Sequence, residues 1–158
     1  MKKLLTPTAL LALCVALAVS SCKKADDPLV PFEASPVLVQ IEDAPYQSDF
    51  SGEPTAVYVL SAPLTLRARI LKLDKTNLLD YKKGIDSVAV PNLKITITLR
   101  SGVAVGEATT DAKGKISLTK TWAELGIASP KAGSNAALSW TGTLDGVTFT
   151  RLSKVQAK

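Results

Sequence analysis

Histidine is absent from this 158-residue chain, and cysteine occurs only twice, as Cys14 and Cys22. Without histidine the chain cannot build a Ser-His-Asp triad, a histidine-based zinc site or a histidine general base. Aromatic residues are also scarce, at 5% of the chain. We therefore expect no metal ion and no cofactor, and the sequence favours a protein that is not an enzyme.

The sequence also lacks an apolar run long enough to cross a bilayer. Its longest apolar segment, residues 9–19, would span about 16 Å as a helix, roughly half of the hydrocarbon core. Lys2-Lys3 precedes this segment, and Ser20-Ser21 follows it, directly before Cys22. A basic start, a short apolar core and small residues predict a cleaved secretory signal rather than a transmembrane helix.

This signal and its cysteine resemble the bacterial lipoprotein signal. The match is to the looser form common in Bacteroidota, because Val19 stands where the family usually has leucine. The resemblance implies that residues 1–21 are removed and that Cys22 is acylated, with fatty acids such as palmitate. Two or more acyl chains would hold the protein stably in the outer membrane. The alternative is an ordinary cleaved signal followed by a chance cysteine.

The residues after Cys22 add to this resemblance. Lys23–Asp27 (KKADD) is similar to the charged segments that often accompany export of Bacteroidota lipoproteins to the cell surface. The resemblance implies a lipid-anchored protein of the cell envelope, and it leaves open whether the domain faces the periplasm or the cell exterior.

Removal of the signal leaves 137 residues, enough for one domain with a hydrophobic core. Cys14 leaves with the signal, so no disulfide is expected. Residues 22–54 carry a net charge of −5 and residues 55–158 one of +8. The sequence predicts an extended acidic tether over residues 22–36, followed by a domain over residues 37–158. Basic residues are scattered without interleaved aromatics, so we do not expect a nucleic-acid partner.

Short segments with a two-residue period indicate an all-β domain. The period is clearest at Leu93–Arg100, where leucine and isoleucine alternate with polar residues. Further strands are predicted over residues 37–42, 55–60, 64–73, 103–110, 115–119, 136–143 and 147–155. A helix is the alternative for residues 64–73, because Leu, Ala, Arg and Lys are good helix formers. About seven or eight strands, with a long connection over residues 75–92, predict a β-sandwich.

Three short motifs predict how the strands are joined. Asp145-Gly146 is typical of a two-residue hairpin turn. Asp111–Gly114 predicts a hairpin between the strands on either side of it, with Gly114 at positive φ. Thr121 and Glu124 have the spacing of a capping box, so we expect at most one short helical turn there.

Residues 91–119 resemble bacterial immunoglobulin-like or carboxypeptidase-regulatory-like modules. The shared pattern is a strand (PNLKITITLRSG), then the turn T-T-D-x-x-G-K and another strand (VGEATTDAKGKISL), and it extends to Trp140–Phe149. The resemblance implies an immunoglobulin-like β-sandwich. Such modules serve as spacers, adhesive domains or binding accessories.

Three aromatic residues, Trp122, Tyr81 and Tyr46, lie outside the alternating core positions. Two or three such rings on one exposed platform would bind a carbohydrate. The alternative for Trp122 is to pack as a lid over one end of the sandwich. Asp86-Ser87-Val88 resembles the acceptor motif of protein O-glycosylation in Bacteroidota, so Ser87 is a candidate glycosylation site, the alternative being an unmodified loop.

Carboxylates are the remaining candidates for chemistry. Glu42, Asp43 and Asp49 are close in sequence and could form a carboxylate pair or a weak calcium site, as could Asp111 with Asp145. Calcium needs six or more oxygen ligands, and no D-x-D-x-D-G pattern is present. Ordinary structural turns are therefore the alternative for these acids.

The sequence as a whole favours a lipid-anchored envelope protein that displays a non-catalytic immunoglobulin-like module for binding or structure. Its partner would be another envelope protein or a surface glycan. Two alternatives stay open. One is a carbohydrate-binding accessory of a surface glycan system. The other is a small hydrolase with two carboxyl groups about 5–9.5 Å apart.

Overall fold

The computed structural model describes residues 35–45 and 53–158, which form an all-β structure. Within these residues nine strands form two sheets, and there is no helix. The strands are β1 (Leu38–Ile41), β2 (Thr55–Tyr58), β3 (Leu64–Asp74), β4 (Asp86–Ala89), β5 (Lys94–Leu99), β6 (Ala104–Thr109), β7 (Lys115–Lys120), β8 (Asn135–Leu144) and β9 (Val147–Ala157). The predicted all-β sandwich is confirmed.

The first sheet is organised around β3, its longest strand. One edge of β3 pairs with β1, and the other edge pairs with β7 and then with β4, all antiparallel. The second sheet has the order β2-β9-β8-β5-β6, in which only the β2–β9 pair is parallel.

No helix in the described part of the chain is long and apolar enough to cross a membrane.

The core lies between the inner faces of these two sheets. In β3 the apolar residues at every second position are at most 2% exposed, from Leu64 to Ile70. This alternation confirms a strand rather than a helix over these residues. Ile95, Ile97 and Trp140 of the second sheet are equally buried. Each large side chain of this kind contributes about 1.5–3 kcal/mol through burial.

The prediction of one long connection over residues 75–92 is wrong in part, because β4 lies within it. Asp86, Ser87 and Val88 are exposed, so this strand has no buried face that would produce a hydrophobic period. Aspartate, serine and alanine are also depleted in strands. Main-chain pairing with the end of β3 holds β4 in place, and Val90, directly after it, is buried in the core.

The predicted hairpin at Asp111–Gly114 is also wrong. The strands on either side, β6 and β7, pair with β5 and β3 respectively, so the turn passes from one sheet to the other. The Asp111 carboxylate accepts hydrogen bonds from the main-chain N–H groups of Lys113 and Lys115, both at 2.8 Å. Gly114 has the predicted positive φ, 72°.

The other two predicted turns are confirmed. Asp145 and Gly146 have φ values of 52° and 82°, as a type I′ turn between β8 and β9 requires. In the capping box, the Thr121 N–H donates to Glu124 Oε2 at 2.7 Å, and the Glu124 N–H donates to Thr121 Oγ1 at 3.3 Å. A single helix-like turn follows and ends at Gly126, where φ is 79°.

Candidate functional site

Two of the predicted site residues, Cys22 and Tyr46, lie outside the described residues, as does Asp49. Acylation of Cys22 therefore stays a prediction from the sequence.

Trp122 packs into the core, as the alternative for this residue required, so its candidacy as a ligand-facing ring is wrong. The side chain is only 4% exposed and belongs to the hydrophobic core. The capping box at Thr121 and Glu124 closes the turn so that Trp122 and Leu125 both pack inward. Tyr81 is 90% exposed, as the prediction required. Since Trp122 is buried, a platform of all three rings is not formed, and the carbohydrate-binding alternative loses one of its three predicted rings.

Ser87 is exposed, but it lies in β4 rather than in a loop. It pairs with Leu73 of β3, and its N–H donates to the Asp86 carboxylate at 2.7 Å. The residue is accessible on one face of a strand, and its glycosylation stays a prediction.

Asp43 belongs to a polar cluster that links the two sheets. Arg67 of β3 contacts both carboxylate oxygens, through Nε at 2.9 Å and Nη2 at 2.6 Å. The Tyr58 hydroxyl of β2 lies 3.1 Å from Asp43 Oδ2 and 2.7 Å from the carbonyl oxygen of Thr65, to which it donates. The Arg67 guanidinium lowers the pKa of Asp43, and burial raises the pKa of Tyr58. The cluster is structural, because its carboxylate is fully engaged.

The predicted grouping of Glu42 with Asp43 does not form a carboxylate pair with free oxygens. Glu42 instead forms an ion pair with Lys115 at 2.8 Å. Asp111 holds its own turn, whereas Asp145 contacts Lys72 at 3.3 Å. Among the residues that the structure describes, no group of three or more Asp or Glu side chains could hold a metal ion.

The remaining carboxylates have structural partners as well. Glu53 contacts Arg100 at 2.8 Å, and Glu107 contacts Lys94 at 2.6 Å. These contacts lower the pKa of both glutamates, mainly through hydrogen bonds from the cations. Hydrogen bonds from the Thr76 hydroxyl and N–H likewise lower the pKa of Asp74. A general acid at neutral pH needs the opposite shift.

The most distinctive surface feature is an extension of β3 and β4, residues 72–88, which we call the β3–β4 arm. Every apolar side chain that it carries is at least partly exposed. The exposed fractions are Leu73 37%, Leu78 55%, Leu79 99%, Tyr81 90%, Ile85 47% and Val88 51%. The stretch 75–81 surrounds an open depression of about 680 Å³. The arm thus carries six of the twelve large apolar residues that are exposed in the described ranges, which makes it the candidate interaction site.

Turns within the arm fix its shape. Leu78 N–H bonds to the carbonyl oxygen of Lys75, and the N–H groups of Lys83 and Gly84 both bond to that of Asp80. The Asp80 carboxylate also accepts the Lys82 N–H at 3.0 Å. The apolar side chains of the arm are therefore presented by an internally hydrogen-bonded loop.

Sequence reasoning did not identify the arm as a surface. The sequence signal that could have indicated it is Leu78-Leu79, two adjacent leucines within a long polar connection. They do not belong to an alternating segment, so no strand pattern assigns them to the core. The structure shows that both leucines are exposed, at 55% and 99%.

The described residues thus define an all-β protein with two packed sheets and a projecting arm. No protein-family model matches the chain, and no curated protein matches it.

Proposed function

We propose that this chain is a lipid-anchored protein of the cell envelope that displays a non-catalytic, immunoglobulin-like sandwich as a binding or structural module. The observation that carries the proposal is the sequence of the first 22 residues. Lys2-Lys3, the apolar segment 9–19 and Ser20-Ser21 lead directly to Cys22. This order of features is that of a secretory signal ending at an acylated cysteine.

The strand order supports an immunoglobulin-like arrangement. Immunoglobulin domains place strands A, B and E in one sheet and C, F and G in the other. Here β1, β3 and β7 are neighbours in the order A-B-E, and β9, β8 and β5 are neighbours in the order G-F-C. Two features depart from that scheme: β4 is added at the end of β3, and β2 pairs with β9, whereas the pairing of β6 with β5 is that of the C′ strand in variable-type domains.

The carboxylates support a non-catalytic module. Every Asp and Glu in the two described ranges contacts a cation or a hydrogen-bond donor. Where the carboxyl pKa is shifted, it is lowered, because these partners stabilise the ionised form. Such groups serve as fixed charges and caps rather than as proton donors.

The anchor is tested by replacing Cys22 with alanine and growing the cells with labelled palmitate. We expect the label to be absent from Cys22→Ala and the protein to leave the membrane fraction. Cys14→Ala is the matched control, because Cys14 lies in the segment that is removed, so this variant keeps both the label and the membrane location. Intact mass should show a wild-type chain that begins with acylated Cys22. Label retained in Cys22→Ala, or a mature wild-type protein without acyl groups, would contradict the proposal.

A further inference from the structure

The β3–β4 arm lies at the same end of the domain as Ser35, the first described residue. In the pairing of β1 with β3, Leu38 lies opposite Leu71 and Ile41 opposite Ala68. Because the two strands are antiparallel, the chain before Leu38 runs in the direction in which β3 continues into the arm. Whatever precedes Ser35 must therefore join the domain at the end that carries the arm.

The C-terminus lies at the other end. Lys72 at the base of the arm contacts Asp145 in the β8–β9 turn, at 3.3 Å. From this turn β9 runs away from the arm for eleven residues to Ala157. The arm and the N-terminal attachment point therefore share one end of the sandwich, and Lys158 marks the opposite end.

The arm carries four lysines and three aspartates, a net charge of +1. Lys75, Lys82 and Lys83 form no ion pair with any residue in the described ranges. The three aspartates of the arm are instead turned towards nearby hydrogen-bond donors. Their contacts are Asp74 with Thr76, Asp80 with Lys82 N–H and Asp86 with Ser87 N–H. These three lysines flank the apolar tip in the chain, and the Lys82 Nζ lies 5.8 Å from the Tyr81 ring centroid.

We propose that the β3–β4 arm is a second membrane contact, which docks Leu78, Leu79 and Tyr81 into the interface of the anionic bilayer that holds the acylated Cys22. The inference rests on the proposed function, since that function brings the bilayer to this end of the domain. Tyrosine and leucine suit the interfacial region, and lysines bind anionic headgroups while their stems cover apolar surface.

The lipid anchor makes this weak contact effective. A short loop with a few apolar side chains and lysines binds a membrane only marginally on its own. Residues 23–34 form a short connection between Cys22 and the described domain, so the arm is held at high local concentration near the surface. Docking of the arm would fix the orientation of the sandwich and point its opposite end away from the bilayer.

The test places a fluorescent reporter at the tip of the arm in the full mature protein. Leu79→Trp introduces an exposed tryptophan, while the native Trp122 and Trp140 are 4% and 1% exposed and remain in the core. The variant is reconstituted in phosphatidylethanolamine–phosphatidylglycerol vesicles with and without brominated acyl chains. Ala132→Trp is the matched control, because Ala132 is exposed and its neighbour Gly133 bonds to Ala157 at the opposite end.

We expect brominated lipid to quench the tryptophan of Leu79→Trp and to shift its emission to shorter wavelength, with no change for Ala132→Trp. Lys82→Gln with Lys83→Gln in the same background should weaken docking by about fivefold per lysine at low salt. Equal quenching at both positions, or none at either, would overturn the proposal. Self-association in detergent that Leu79→Ser abolishes would assign the arm to a second copy instead.

Failure of the arm proposal is distinguishable from failure of the anchor. Intact mass of the same preparations reports acylation of Cys22 independently of fluorescence. An acylated protein whose Leu79→Trp reporter stays in water would leave the lipid anchor standing and remove the second contact. A protein without acyl groups would contradict the proposed function itself.

Discussion

At the scale of single residues, Gly114 lies where three strands meet. The N–H of Ile70 in β3 bonds to the Gly114 carbonyl oxygen, and the Ile70 carbonyl oxygen accepts the N–H of Val90, just after β4. Gly114 thus lies beside Ile70, between the part of β3 that pairs with β7 and the part that pairs with β4. A Cβ atom at this position would overlap the Ile70 carbonyl oxygen, which is main chain and cannot rotate away.

We predict that Gly114→Ala destabilises the domain by about 3 kcal/mol, from the positive φ and the main-chain overlap together. Gly102→Ala is the control, because Gly102 also has a positive φ, 92°, but has nothing within 4 Å of its added Cβ. This variant should lose only about 1 kcal/mol. Urea denaturation of both proteins measures the difference, and equal losses would show that the overlap is relieved.

Ser153 is one of the few buried polar residues, with 1% exposure. Its Oγ accepts a hydrogen bond from Trp140 Nε1 at 2.8 Å, across the β8–β9 pair. Ser153→Ala would leave the indole N–H without this partner in the core, so we predict a loss of about 1–3 kcal/mol. Ser139→Ala, on the outward face of β8, should change stability by no more than about 0.5 kcal/mol.

A double-mutant cycle separates this bond from simple packing. In a Trp140→Phe background the donor is gone, so Ser153→Ala should cost clearly less than in the wild type. The same cost in both backgrounds would show that the hydrogen bond contributes nothing, and urea midpoints of the four proteins decide between the outcomes.

At the scale of elements, the capping box after β7 predicts a pH dependence. The Thr121 N–H, then the Lys120 ammonium and the Thr121 hydroxyl, lower the pKa of Glu124 from 4.5 to about 2. A lowered folded-state pKa adds stability above the unfolded value, and this stability is lost as pH falls from 4.5 towards 2. Glu124→Gln should therefore be less stable than the wild type at neutral pH and equal to it near pH 2. Urea midpoints at both pH values test this, and a difference independent of pH would contradict it.

The strands show how far the sequence determines this fold. Alternation predicted β3 and β5 well, because burial against the opposite sheet leaves a period of two in the sequence. It could not predict which strands pair, since main-chain hydrogen bonds are the same for every partner. The turn at Asp111–Gly114 therefore suggested a hairpin, although β6 and β7 belong to different sheets. The exposed β4 left no period at all.

The candidate site was harder to predict for a related reason. Trp122 lies beside a capping box, and it is buried because the turn packs against the core. This is a tertiary contact, which the local sequence does not predict. Leu79 and Tyr81 were assigned to a connection, and nothing local distinguishes a leucine that packs from one that projects. Tyr81 was predicted to be exposed, whereas the exposure of Leu79 is seen only in the structure.

In the whole molecule, strands that precede the arm in the sequence pair with strands that follow it. A cut after Lys82 or Lys83 would leave β1 to β3 on one fragment and β4 to β9 on the other. The fragments would still share the β3–β7 and β2–β9 pairs and one hydrophobic core. The arm itself is held by main-chain pairing of its two strands, by its own turns and by the exposed Lys72–Asp145 ion pair. Its local opening should therefore cost much less than global unfolding.

Limited digestion with trypsin tests this division of stability. Within residues 53–158 we expect the first cut after Lys82 or Lys83, because loop tips with exposed main chain are preferred cleavage sites. Lys113 is an internal control, since it is exposed but lies in the Asp111 turn, whose Gly114 is buried. The nicked protein should keep its β-sheet circular dichroism and migrate as one species, and Lys82→Gln with Lys83→Gln should slow the cut. An initial cut after Lys113, or separation of the fragments without denaturant, would show that the arm is integral to the sandwich. Anionic vesicles should protect the same bonds in the acylated protein if the arm docks on the bilayer.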